Sequence, residues 1–146
     1  MNMPVNMPES IARLQAEMLK LPQVEPLTKH FFAHGMYART IFSPAGTVIV
    51  GKTHKTEHFY MVLTGKILVT MGEAVFEVDA SKEPQIFTCK PGVKRAVHVL
   101  EDSWRMNVHL NENDSEDLEE LQDRMVEDDP SSPFLADNTL RKELLS

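Results

Sequence analysis

The spacing of apolar and polar positions changes period twice along the chain. Near the start, Ile11, Leu14, Met18 and Leu21 recur at helical spacing behind Pro8-Glu9-Ser10, and Pro22 stops the pattern, which predicts an N-terminal helix. From Gly35 to Leu110 the pattern breaks into short β-rich runs, predicting strands over 36–42, 47–54, 58–64, 66–71, 74–79, 85–89, 93–100 and 104–110. Turn residues punctuate them, among them Ser43-Pro44-Ala45-Gly46, Gly65, Gly72-Glu73 and Lys90-Pro91-Gly92. Many short strands at even spacing imply a sandwich or a barrel, and the lack of strand–helix–strand alternation argues against a parallel sheet. Helical period returns over 114–126, where Leu118, Leu121 and Met125 form a narrow apolar stripe in an acidic surround, with Asp114 or Ser115 as cap. After Asp129-Pro130-Ser131-Ser132-Pro133 the chain reads as an arm with apolar docking points at Phe134, Leu135, Leu140, Leu144 and Leu145. The divisions are thus 1–34, a helix and lead-in; 35–110, the β-rich body; and 111–146, an acidic helix and arm.

Alternation assigns faces within the body. Lys52 and His54 share one face of their strand, and His58, Tyr60 and Val62 share one face of the next, leaving Phe59, Met61 and Leu63 for the other. With the polar set inward, Lys52, His54, His58 and Tyr60 line one pocket. Two imidazoles on adjacent strands suit a divalent transition metal such as Fe, Mn, Zn or Ni, and a complete site needs a third protein ligand. His98 is the candidate, with His109 and Glu57 as alternatives; Glu57 sits in the turn with parity opposite to His58. Tyr60 is placed to donate a hydrogen bond to a guest. His30 and His34, flanking Phe31-Phe32, read as surface or interface residues, and Trp104, Met106 and Val108 read as core.

Charge changes the picture by its location. Residues 1–110 hold 12 Lys/Arg against 10 Asp/Glu, whereas residues 111–146 hold 3 against 12, so the net charge of −7 belongs to the tail. Neither part offers the basic stripe that nucleic acid requires. No run of about 18 apolar residues spans a membrane. The first ten residues carry no basic region followed by an apolar stretch, so no signal peptide is expected. The single cysteine, Cys89, excludes an internal disulfide, fits a cytoplasmic setting and reads as a small buried hydrophobe. No Gly-x-Ser-x-Gly, phosphate-binding loop or Cys-x-x-Cys competes.

Residues 46–65 resemble the first motif of the cupin superfamily: a glycine, a His-x-His pair, a Glu three or four residues on, and a glycine six residues later. Counting back from Gly65, the family's Glu falls on His58, its second His on His54 and its first His on Lys52. The second motif matches loosely around Lys90-Pro91-Gly92, and its His position holds Arg95. The resemblance covers roughly residues 35–110 and implies an all-β, double-sheet jelly-roll barrel, here with an N-terminal helix and a C-terminal acidic helix. More narrowly, the string 51–58 (Gly-Lys-Thr-His-Lys-Thr-Glu-His), Lys94-Arg95, Glu101-Asp102 and the acidic helix are similar to short cupin-like proteins of bacteriophages and prophages.

Cations at two positions where cupins keep metal-binding histidines imply a pocket suited to an anion, with Lys52, Tyr60 and Arg95 as ligand-binding residues. His54, His58 and His98 are the expected metal set. The leading expectation is a cupin-type protein that binds a small anionic ligand, with or without metal. The alternatives are a metal-dependent cupin enzyme acting on a small molecule and a phage structural or accessory protein. Because cupins pair through their outer sheets, Phe59, Met61 and Leu63 lead to the expectation of a homodimer, with neither nucleic acid nor membrane as partner.

Overall fold

The computed structural model describes residues 24–71 and 74–141, the pair Asn2–Met3, and Arg13, Ala16, Glu17 and Lys20. Strands alternate their side chains between two faces, and here ten strands form two sheets with buried inner faces. In chain order they are β1 (Asn2–Met3), β2 (Leu27–Ala33), β3 (Met36–Ser43), β4 (Val48–Val50), β5 (His58–Val62), β6 (Lys66–Met71), β7 (Ala74–Asp79), β8 (Gln85–Cys89), β9 (Ala96–Glu101) and β10 (Ser103–Leu110). The larger sheet runs β1-β8-β5-β10-β3-β2 and the smaller β4-β9-β6-β7. All pairs are antiparallel except β1 with β8. This is the double-sheet jelly roll that the sequence led us to expect.

The main core lies between the sheets, where Val62, Ile67, Val69, Phe87, Cys89, Val93 and Val99 are buried together. Gly65 closes the turn from β5 to β6 at φ 82°, and a Cβ there would stand 2.1 Å from the Asp102 carbonyl oxygen. Only glycine fits that approach. The motif's last glycine is therefore structural.

Two strands were not read from the sequence, the two-residue β1 and the longer β2. In β2, Leu27, Lys29, Phe31 and Ala33 are exposed while Thr28, His30 and Phe32 are half-buried. Each face mixes apolar and polar residues, so no alternation signals the strand. The strand expected over 47–54 is regular only at Val48–Val50; beyond it the chain stays tied to the 92–95 segment by Gly51 N donating to the Arg95 carbonyl (2.9 Å) and His54 N to that of Val93 (2.9 Å). Trp104, Met106 and Val108, read as core, lie instead on the outer face of the larger sheet, each half-buried. The buried parity of β10 is polar throughout: Ser103, Arg105, Asn107 and His109.

The acidic helix, α1 (Leu118–Met125), starts later than the pattern suggested. Asp114 adopts φ 50° and ends a turn, so Asp117 rather than Asp114 or Ser115 is the cap, accepting from the backbone N–H of Glu119 and Glu120. Its stripe packs Leu121 and Met125 on Tyr37 of β3, closing one end of the barrel. The chain after α1 returns across that end, and Leu140 is buried. The N-terminal stripe Ile11, Leu14, Met18 and Leu21, and Leu144 and Leu145 of the arm, lie outside the described residues. Among the described residues no helix is long and apolar enough to cross a membrane.

Candidate functional site

Inward parity on three strands brings a polar set together. Register aligns Arg39 of β3, Asn107 of β10 and Tyr60 of β5 across the larger sheet, and His109 of β10 with Tyr37 of β3 one row further. Arg95 enters from the loop before β9, two residues from inward-facing Val97. His54 is held by an isolated bridge to Val126 and by the flanking bonds Lys55 N to the Met125 carbonyl (2.7 Å) and Glu127 N to that of Thr53 (2.8 Å). Helix α1 thus fixes the segment carrying Lys52 and His54. These residues surround a cavity of about 110 Å³ inside the barrel, and the arm, through Ser132, Phe134 and Asn138, forms part of its wall.

The guanidinium of Arg95 dominates the interior. It is 7% exposed and bonds only neutral groups: Nη2 donates to Asn107 Oδ1 (3.0 Å), and Nη1 lies 3.2 Å from His58 Nε2 and 3.4 Å from Cys89 Sγ. Its carbon centre stacks over the Tyr60 ring at 4.0 Å. Three further cations line the cavity. Arg105 donates from Nη2 to Ser43 Oγ (2.6 Å), Arg39 to Tyr37 Oη and Asn138 Oδ1, and Lys52 Nζ to the Phe134 carbonyl (3.2 Å). None of the four makes a salt bridge among the described residues, and no carboxylate lines the cavity. Burial, then the charges of Arg141 and Arg39, lowers the Lys52 pKa.

Three imidazoles stack beside Arg95. His54, His58 and His109 have ring centroids 4.2, 4.8 and 5.5 Å apart with interplanar angles of 12–27°. Burial, then the Arg95 charge, holds His54 well below its usual value and His58 at about 4; burial, then His58, takes His109 to about 3. All three are therefore neutral near pH 7, and the charge of the cavity comes from Lys52 and the three arginines. Four buried polar atoms on its wall have no protein partner: His54 Nδ1, His109 Nδ1, Tyr60 Oη and Arg105 Nε. Burial raises the thiol pKa of Cys89, which sits in the core as the sequence suggested.

The sequence-predicted residues divide into two groups. Lys52, His54, Tyr60 and Arg95 line the cavity, and His58 adjoins it through Arg95. His98 does not join them: it is exposed on the outer face of the smaller sheet, with parity opposite to Val97. Glu57 is likewise outside, paired with Lys90 at 2.9 Å. Of the two remaining imidazole candidates, His109 is the one brought to the stack. The sequence reading missed Arg39 and Arg105 as site residues, because only the β3–β10–β5 register shows that they face the same space as Tyr60.

A metal does not fit this arrangement. His58 has both nitrogens engaged, Nδ1–H with the Thr56 carbonyl (3.0 Å) and Nε2 with the Arg95 N–H, so it has no lone pair to give. Among the described residues no three His, Cys, Asp or Glu are grouped to hold an ion.

No family model matches the chain, and no curated protein matches it. Solved structures do. An uncharacterized conserved protein with a double-stranded β-helix domain from Klebsiella pneumoniae aligns with a TM-score of 0.51 at 16% identity, covering 69% of this chain and 90% of its own. An RmlC-like cupin from Shewanella frigidimarina aligns with a TM-score of 0.50 at 14% identity, covering 64% and 79%. At such identities the likeness concerns the fold, which is the cupin jelly roll.

Proposed function

We propose that the protein binds a small anion inside the barrel. The observation that carries this reading is a cavity lined by four basic side chains and no carboxylate. Burying a charge without a counter-charge is costly, and Arg95 and Arg105 are buried among neutral partners. An anion supplies the missing charge and accepts from Tyr60 and Arg105 Nε. Size limits the guest: about 110 Å³ lies well below the roughly 300–1,000 Å³ of ordinary ligand pockets and short of what a nucleotide needs.

Thermal melting with added phosphate or succinate tests the reading. Wild type is expected to melt higher with anion, Arg95→Ala and Lys52→Ala to lose most of that shift, and the exposed control Lys82→Ala to keep it. Each charge-assisted bond is worth about 1.5–3 kcal/mol, or about ten- to hundredfold in affinity. Equal shifts in wild type and both mutants would remove these cations from the binding site.

The chain is further proposed to pair with a second copy through the outer face of the larger sheet. Register sets Phe59, Val108, Ala38 and Phe31 in one row across four strands, and Leu110 and Met36 in another. Phe59, Phe31, Met36, Leu110 and Ile86 are all substantially exposed. So apolar a sheet face is the kind that a partner covers.

A further inference from the structure

We propose that the guest is a short dicarboxylate held between Arg95 and Arg105, an inference that rests on the anion reading above. Arg105 is 4% exposed, has no carboxylate partner among the described residues, and keeps its Nε without a protein acceptor. Arg105 and Asn107 point inward from alternate positions of β10, about 7 Å apart along the strand. The two guanidiniums diverge from there. Arg95 sits on Asn107, whereas Arg105 reaches the opposite way to Ser43, which pairs with Ser103 at the start of β10. The cavity therefore has two cationic levels.

Part of the wall beside the two arginines is aliphatic. Ile41 stands directly across from Arg105 in the sheet, and Val97, the next inward residue after Arg95, pairs with Ile49. Two guanidinium forks with hydrocarbon beside them match two carboxylates joined by methylenes. Phosphate concentrates its charge at one centre and makes no use of the aliphatic wall. The cavity of about 110 Å³ restricts the carbon chain to a few atoms.

Calorimetric titration of wild type with acetate, inorganic phosphate and the unbranched dicarboxylates from oxalate to adipate tests this. Some dicarboxylate of intermediate length should bind at least tenfold more tightly than acetate or phosphate. Arg105→Gln should reduce its affinity to about the acetate level. Arg105→Lys, which keeps charge without the fork, should retain the length preference at lower affinity. Acetate or phosphate binding as tightly as every dicarboxylate would overturn the two-ended site and leave the anion reading standing. Binding of no anion at all would fail that reading and the proposal with it. Arg105 variants that lose stability yet bind the preferred dicarboxylate like wild type would assign Arg105 to the Ser43–Ser103 end of the barrel alone, and the proposal would fail. The wild-type length series decides the matter even if neither variant folds.

Discussion

Neutral histidines packed against a guanidinium make the protein's stability depend on pH. The folded-state pKa values of His54, His58 and His109 lie below their unfolded values, chiefly through burial. The unfolded chain therefore binds more protons as pH falls below about 6.5, and each imidazole removes up to about 1.4 kcal/mol of stability per pH unit. His58 continues to do so down to about pH 4 and His109 to about 3. Urea unfolding of the anion-free protein should give a clear drop in stability from pH 7.5 to 5, and His109→Asn should flatten the slope. A stability independent of pH over that range would mean that the stack is not buried as described. Lys52, His54, His58 and Tyr60 were legible in the sequence because two adjacent runs fixed their parity, and Arg95 because it stands at a motif position. His98 stands out of step with Arg95 along its strand, and that one residue of parity sends its side chain to the other face. Arg39 and Arg105 were out of reach: nothing local distinguishes an inward arginine from an outward one.

At the scale of elements, two features hold the site in shape. Gly65 lets β5 and β6 approach the Glu101-Asp102 backbone, with Asp102 oxygen 2.1 Å from where a Cβ would be. Gly65→Ala adds that clash to a left-handed backbone worth about 1–2 kcal/mol, so the loss measured by chemical denaturation should exceed that figure. A near-neutral effect would contradict the turn geometry. Helix α1 closes the barrel by burying Leu121 against Tyr37, and Leu121→Ala should cost about 2–5 kcal/mol. Most strands could be read from runs between turn residues because β-rich segments of that length have few other uses. The exceptions have physical causes. β2 mixes polarity on both faces, and β10 inverts the usual rule by turning its polar parity inward, so Trp104, Met106 and Val108 looked like core. The left-handed Asp114 delayed the helix start, a backbone choice that composition alone does not announce.

For the whole molecule, the acidic tail and the basic interior meet at the closed end of the barrel. The arm forms part of the cavity wall. The opposite, outer surface of the larger sheet bears the apolar rows proposed to pair two copies. Light scattering at micromolar concentration should give about twice the 16.6 kDa chain mass, and Phe59→Lys should yield a monomer. A wild-type monomer throughout that range would refute the pairing. The central claim is that the four cations enclose an anion site, and crystals soaked in selenate address it most directly. An anomalous peak inside the barrel within hydrogen-bonding reach of the Arg95 guanidinium, lost in Arg95→Ala crystals, is the predicted result. Selenate bound only on the outer surface, with none beside Arg95, would contradict it.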